Sequence, residues 1–162
     1  MRKFIARPLP KPSARLVLLA GLGGVIAIAG LRLMTEGAGM PLLMAPFGAS
    51  CVLLFAVPNS PLSQPANVIG GHAVATLAGL VLRWALPDQW WALALAVGLA
   101  IALMVLLRVT HPPAGADPLV VFAADPGFLF LIFPVISGAV MLVALATLFH
   151  RLSGTAYPQH PQ

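Results

Sequence analysis

The side chains able to do chemistry in this chain are few, and they stand among prolines and glycines. His72 ends Asn67-Val68-Ile69-Gly70-Gly71-His72, His111 opens His111-Pro112-Pro113, and Asp117 follows Ala114-Gly115-Ala116. Ser50 ends Pro46-Phe47-Gly48-Ala49-Ser50. An ionisable group inside an apolar span marks a functional path, unless it serves only to bond a backbone carbonyl that a proline has freed. His72 fits both readings equally. His111, beside Arg108 at the end of an apolar run, suits an interfacial structural role. Asp117 opens a short helix, where capping the first N–H groups is the favoured reading and a proton or cation site is the alternative. Asn59, Ser60, Gln64 and Asn67 either line a mouth or make turns. The spacing of histidines and acids gives no metal-ligand pattern. No phosphate loop and no Ser/His/Asp set is recognisable, so no enzyme, cofactor or metal is expected.

The elements that must position these groups are membrane elements. The 162 residues are 60% hydrophobic and 8% charged, with mean hydropathy +0.98. Soluble domains carry about 25% charged residues, so lipid is the solvent for most of this surface. The net charge of +5 comes largely from Arg2, Lys3, Arg7, Lys11 and Arg15, five of the nine Lys and Arg. Such a cluster marks a cytoplasmic end rather than a nucleic-acid face. Cys51 is the single cysteine, so no intrachain disulfide can form.

Residues 1–13 read as a basic cytoplasmic tail, 14–86 as a first membrane repeat, 87–150 as a second, and 151–162 as a polar C-terminal tail. Long apolar spans are expected over Ala14–Met34, Ala66–Leu86, Trp90–Leu107 and Phe128–Phe149. The first is read as a span rather than a signal peptide, although Ala27-Ile28-Ala29-Gly30 resembles a cleavage site. Trp90 and Trp91 read as interfacial anchors.

A shift of 67 positions lays Pro46 on Pro113, Gly48 on Gly115, Phe55 on Phe122 and Val68-Ile69-Gly70-Gly71 on Val135-Ile136-Ser137-Gly138. This predicts an all-α membrane protein of two internal repeats, each a long transmembrane helix, a Pro-broken short half-helix segment and a long helix. Pro41 with Pro46, and Pro112-Pro113 with Pro118, break the short segments. The second is expected to run extended through Pro113, with a helix from Ala114 to Ala123. Irregular backbone at membrane depth must be buried in protein or line water. Half-helix N-termini would then offer free N–H groups to a solute, anions favoured. The candidate solute path is Gly48, Ser50, Asn67, His72, His111, Gly115 and Asp117; Pro46, Asn59, Ser60, Gly71, Pro112 and Pro113 form its structural frame. Spanning short segments would make the repeats inverted, and re-entrant ones would make them parallel; spanning is slightly favoured.

Pro46-Phe47-Gly48-Ala49-Ser50, Phe55-Ala56-Val57-Pro58-Asn59-Ser60-Pro61, Asn67-Val68-Ile69-Gly70-Gly71-His72 and His111-Pro112-Pro113 together resemble the HPP family of integral membrane proteins. The resemblance covers roughly residues 14–150. It implies a four-helix membrane protein, a transporter, with plastid and cyanobacterial relatives linked to nitrite. Ala114 stands where the family commonly has Gly, Asp117 where it has a small or hydroxyl residue, and Ala66 where it often has Arg. The expected function is a channel or transporter for a small anion such as nitrite. The alternatives are a membrane scaffold or accessory subunit, and a proton- or cation-linked carrier using Asp117 and His72. A homo-oligomer, dimer first, is expected in a bacterial inner (plasma) membrane with both termini cytoplasmic.

Overall fold

The computed structural model describes residues 10–39 and 42–159. Arg2, Lys3 and Arg7 of the basic tail, together with Met40 and Pro41, lie outside the described residues. The described chain is all-helical: α1 (Ala14–Ala38), α2 (Pro46–Ala56), α3 (Pro65–Ala85), α4 (Trp90–Leu106), α5 (Asp117–Ala124) and α6 (Ser137–Ser153). Ser13 caps α1 by accepting from the Leu16 N–H (3.2 Å), and Gly39, at φ 64°, ends it. Pro46 and Pro65 take the first positions of α2 and α3, where a missing N–H costs nothing.

Three stretches are long and apolar enough to cross a membrane: Ala14–Gly37, Pro65–Ala85 and Phe128–Ser153. The fourth expected span, α4, has 17 residues, about 26 Å by helical rise. The stretch from Phe128 is not one continuous helix. A 3-10 turn covers Phe128–Leu131, a wider turn covers Ile132–Ile136 with Phe133 out of helical geometry (φ −127°, ψ 115°), and only then does α6 begin. Pro134 is the reason: it has no N–H to give, and its ring crowds the preceding turn. A second departure is at His111, where the chain is extended (φ −137°, ψ 102°) but turns at Pro112 into a 3-10 segment, Pro112–Ala116. Proline's fixed φ suits a first helical turn, so the extended run stops one residue before the Pro-Pro pair rather than after it.

Hydrogen bonds between distant residues give the course of each element. Arg15 Nη2 donates to the Ser153 carbonyl (2.5 Å), joining the start of α1 to the end of α6. Leu42 N donates to Thr35 Oγ1 (3.0 Å) near the far end of α1, and His150 Nε2 bonds the Leu54 carbonyl (2.8 Å) at the end where α1 began. The segment from Leu42 through α2 therefore runs from one end of the bundle to the other. The eleven residues of α2 rise about 17 Å, and Leu42–Ala45 before them supply most of the rest of a crossing. The loop after α2 meets the C-terminal tail: Tyr157 OH donates to the Ser63 carbonyl (3.0 Å) and Gln159 N to Gln64 Oε1 (2.8 Å). From that end α3 runs to Arg83, which pairs with Asp125 at the end of α5 (2.8 Å). Thus α2 runs towards the tail end, and α5 away from it.

The core has two main parts. Leu31, Phe47, Leu54, Val135 and Leu142 pack α1, α2 and α6 together. Small residues, Ala75, Ala78, Ala100 and Ala114 with Met104, bring α3, α4 and the Pro112 turn close. Outward side chains such as Leu18 and Val105 are apolar and exposed, as lipid contact requires, while Trp84 and Trp90 stand out at the Arg83 end. Two glycines mark the tightest approaches. A Cβ on Gly71 would lie 2.6 Å from His111 Cβ and 2.9 Å from the Val109 carbonyl, and one on Gly138 would meet the Leu42 carbonyl and the Phe47 ring.

Candidate functional site

A single line of hydrogen bonds runs through the interior. The Leu62 carbonyl accepts from His111 Nδ1–H (2.8 Å), His111 Nε2 faces Ser50 Oγ (2.8 Å), and Ser50 Oγ faces His72 Nε2 (2.9 Å). His72 Nδ1 faces Asp117 Oδ2 (2.8 Å), which also accepts from Thr76 Oγ1 (3.0 Å). Ser50, His72, Thr76, His111 and Asp117 are all 0% exposed. Asp117 Oδ1 is buried and has no hydrogen-bond partner. The Phe47 ring meets the His72 ring edge-on (centroids 5.1 Å), and the two imidazoles stand 5.0 Å apart.

Each member is placed by a local feature of sequence. Pro46 starts α2, so Ser50 lies one turn in, with the Pro46 carbonyl 3.4 Å from its hydroxyl. His72 and Thr76 are four apart on α3 and share one face. Gly71 lets the His111 backbone press against α3, and Asn67 Nδ2 holds the Thr110 carbonyl at 2.9 Å. Ser60 caps the Pro61–Ser63 turn through the Leu62 N–H (3.2 Å), which sets the Leu62 carbonyl under His111. From Pro65 to His72 is about 10 Å along the helix.

Four of the seven candidate path residues, Ser50, His72, His111 and Asp117, are thus brought together, and Asn67 braces the loop beside them. Gly48 is exposed in the groove between α1 and α2 and adds no side chain to this line, and Gly115 is half-buried, with nothing within 4 Å of where a Cβ would stand beyond its chain neighbours. In the frame, Pro112 and Pro113 form the 3-10 turn and Asn59 Oδ1 accepts from Gln159 Nε2 (3.0 Å). His111 is wholly buried, on the Leu62 carbonyl of the loop after α2. Asp117 does not cap α5. Its own N–H bonds the Ala114 carbonyl, so the preceding 3-10 turn leads into the helix and leaves the carboxylate to His72 and Thr76. The N–H groups of Phe47 and Gly48 are likewise taken, by the Met44 and Ala45 carbonyls (both 3.1 Å). The expected free N–H groups at the start of α2 are therefore occupied, and the polar character of the site comes from side chains.

Thr76 and the Leu62 carbonyl were not singled out by sequence; the four-residue step from His72 to Thr76 was the available signal. Nor was the order Ser50–His72–Asp117, which has the connectivity of a hydrolase triad. It differs from one where catalysis would need it most. Ser50 Oγ is also against His111, and the nearby Phe47 and Gly48 N–H groups already have acceptors, whereas acyl transfer needs donors aimed at a developing oxyanion. Among the described residues no group of three His, Cys, Asp or Glu is placed to hold a metal.

Between α2 and the Pro112–Val120 stretch lies an apolar groove of about 770 Å³. Ala49 and Ala116, the neighbours of Ser50 and Asp117, both line it.

Long apolar helices, interrupted helices and a buried polar line define a polytopic membrane protein with an ionisable interior. The HPP, transmembrane region family model matches residues 9–158, and the chain belongs to that family. It is 36% identical over 144 residues to one transmembrane protein of Dictyostelium discoideum, covering 83% of this chain and 50% of that protein. A second Dictyostelium transmembrane protein is 38% identical over 119 residues, covering 68% of this chain and 38% of that one. The chain thus spans half or less of the curated relatives it matches. No solved structure matches.

Proposed function

We infer that the protein moves a small solute across its membrane, as a channel or carrier, with a small anion such as nitrite the first candidate. The observation that carries this reading is the wholly buried line through Ser50, His72, His111 and Asp117. Burying ionisable groups is costly, and apolar residues would join these helices at no such cost. The hydroxyl and imidazole N–H groups are donors suited to an anion, with Asp117 balancing the charge that a protonated histidine would leave. No reaction is assigned to the Ser50–His72–Asp117 order.

The reading includes duplicated, inverted halves. In support, Gly71 packs on the Val109 carbonyl and Gly138 on the Leu42 carbonyl. Both pairs of counterparts, Gly71 with Gly138 and Leu42 with Val109, differ by 67 positions. Each half thus grips the other's broken segment in the same way, and α2 and α5 run in opposite senses. It also includes a homodimer, because six thin elements shield a polar interior poorly from lipid. The basic tail supports cytoplasmic termini in a plasma, for a bacterium inner, membrane.

A scaffold or accessory subunit is the second reading. What favours it is that most polar atoms of the line already find partners in one another, as helix-joining groups would. Purified full-length protein in liposomes, tested for uptake of nitrite, chloride and protons, separates the two. Protein-dependent nitrite uptake supports transport; uptake of none of the three supports the scaffold.

A further inference from the structure

The hydrogen-bond line can be counted in hydrogens. Four contacts need one hydrogen each: Leu62 O to His111, His111 to Ser50, Ser50 to His72, and His72 to Asp117. The Leu62 carbonyl only accepts, so a neutral His111 has its hydrogen on Nδ1 and a bare Nε2. Ser50 must then donate its single hydrogen to His111 Nε2. The Ser50 oxygen is left to accept, so His72 Nε2 must carry a hydrogen. A neutral His72 has no second one, and Thr76 already donates to Asp117 Oδ2. The contact between His72 Nδ1 and Asp117 Oδ2 at 2.8 Å therefore needs one more proton. With His111 neutral it sits either on Nδ1, giving imidazolium and carboxylate, or on Asp117, giving two neutral groups; with Ser50 donating to His72 Nε2 instead, the same proton sits on His111 and Asp117 is the carboxylate. Each description has no net charge. Without that proton the line holds one net negative charge, and one short contact sets two lone pairs against each other.

We propose that Ser50, His72, His111 and Asp117 form a binding site for one exchangeable proton, that the packing described here is its proton-loaded state, and that loss of the proton opens the line so that proton and anion move together. The coupling half of this rests on the transport reading above; the proton site does not. The co-transported solute is then the anion of a weak acid, since a pair of proton and anion crosses without net charge. The neighbouring elements supply no competing ionisable partner among the described residues. α2 adds Cys51, which lines the groove towards α1. α3 adds Arg83, paired with Asp125 of the α5 end. α6 adds His150, on the Leu54 carbonyl, and the buried α4 residues are Ala92, Ala96, Ala100 and Met104. Asp117 Oδ1, buried without a partner, is the open position at the end of the line.

The proposal distinguishes two substitutions sharply. In Asp117→Asn the amide NH₂ donates to His72 Nδ1 permanently, so the line is complete with no added proton and behaves as if always loaded. In Ser50→Ala the link between the two imidazoles is cut. The test is a pH titration of full-length protein in lipid nanodiscs, read by histidine ¹⁵N NMR and by the infrared carboxyl band, with nitrite and proton fluxes measured on the same preparations in liposomes. Wild type is expected to release one proton per chain in a transition sensed by both His72 and His111. Asp117→Asn is expected to release none from this site while remaining folded, and Ser50→Ala to leave His111 insensitive to that transition. A titration in which Asp117→Asn releases the same proton as wild type, or in which the two histidines titrate independently, overturns the proton site. Nitrite flux with no accompanying proton overturns the coupling and leaves transport standing. The expected titration without any nitrite flux in wild type overturns the transport reading, and coupling with it, and leaves the proton site standing.

Discussion

At the scale of single residues, the interior is governed by the cost of an unpaired polar atom. Asp117 Oδ2 meets both α3 side chains, His72 Nδ1 and the Thr76 hydroxyl. Asp117→Ala leaves both unpaired where they are wholly buried, and each such orphan costs about 1–3 kcal/mol. Asp117→Asn keeps partners for both. The expected outcome in detergent is a clear fall in midpoint temperature for the alanine variant and a small one for the asparagine variant, measured by thermal unfolding monitored through tryptophan fluorescence. Equal loss in both would mean that the charge, not the hydrogen bonds, holds α5 to α3. The sequence made Asp117, His72 and Ser50 legible as candidates because each was a rare polar residue beside a proline or glycine. It did not make their bonding legible. Capping is the role the sequence favours for Asp117 because position in a helix can be read locally, whereas a partner 45 residues away cannot. The 3-10 turn over Pro112–Ala116, which removes the need for a cap, follows from packing of that turn on α3 rather than from the Pro-Pro pair alone.

At the scale of elements, glycines decide how closely the broken segments lie against the long helices. Two contacts, Gly71 on Val109 and Gly138 on Leu42, leave no room for a methyl group. Gly71→Ala and Gly138→Ala are each expected to cost about 1–3 kcal/mol through overpacking. Gly48→Ala has nothing within 4 Å of the new carbon and gains up to about 1 kcal/mol of helix propensity. Unfolding of the three variants side by side checks this, and a Gly71→Ala protein as stable as Gly48→Ala would contradict the packing. The C-terminal tail is an element in its own right. Burial pushes the Tyr157 phenol above its ordinary 10.0, so the neutral donor that bonds Ser63 is favoured by folding. A raised acid group stabilises the docked tail below its unfolded value, and that contribution falls as pH rises beyond it. Protease cleavage after Arg151 should therefore accelerate above the ordinary phenol range, and Tyr157→Phe should dock less well at neutral pH but lose this alkaline sensitivity. An unchanged cleavage rate across that range would show the tail is held by other contacts. The tail looked like a polar end in sequence because a lone tyrosine among Pro, Gln and Thr carries no periodicity. The Pro134 break is not legible for the opposite reason: the surrounding run is so apolar that it reads as one continuous span, Phe128–Phe149.

At the scale of the whole molecule, the bundle has two chemically different ends. One holds Arg15, Ser153, Tyr157 and the loop bearing Leu62; the other holds Trp84, Trp90 and the Arg83–Asp125 pair. With Cys51 replaced by Ala, single cysteines at Pro12, Asn59 and Thr155 are expected to react with an impermeant reagent from one side only, and cysteines at Asp88 and Gly127 from the other. Labelling of position 59 with position 127, and of position 88 with positions 12 and 155, would mean that the short segments re-enter instead of crossing. The membrane class and the proline-broken segments were legible, because hydropathy and proline act locally. The directions of the short helices were not, because loop charges permit either; the bonds Leu42 to Thr35 and His150 to Leu54 give that of α2, and the Arg83–Asp125 pair that of α5.

The measurement that tests the central claim most directly is nitrite influx into liposomes by wild type and by Ser50→Ala at matched, folded protein density, at a pH that keeps nitrite ionised. Ser50 Oγ is within hydrogen-bond distance of both imidazoles. If the solute passes through this line, wild type carries nitrite above the rate of empty liposomes. Removing the central hydroxyl should then lower that rate by about tenfold, the effect of roughly one lost hydrogen bond of 1–1.5 kcal/mol. Nitrite influx that is the same in Ser50→Ala as in wild type would contradict the claim that the buried line is the path.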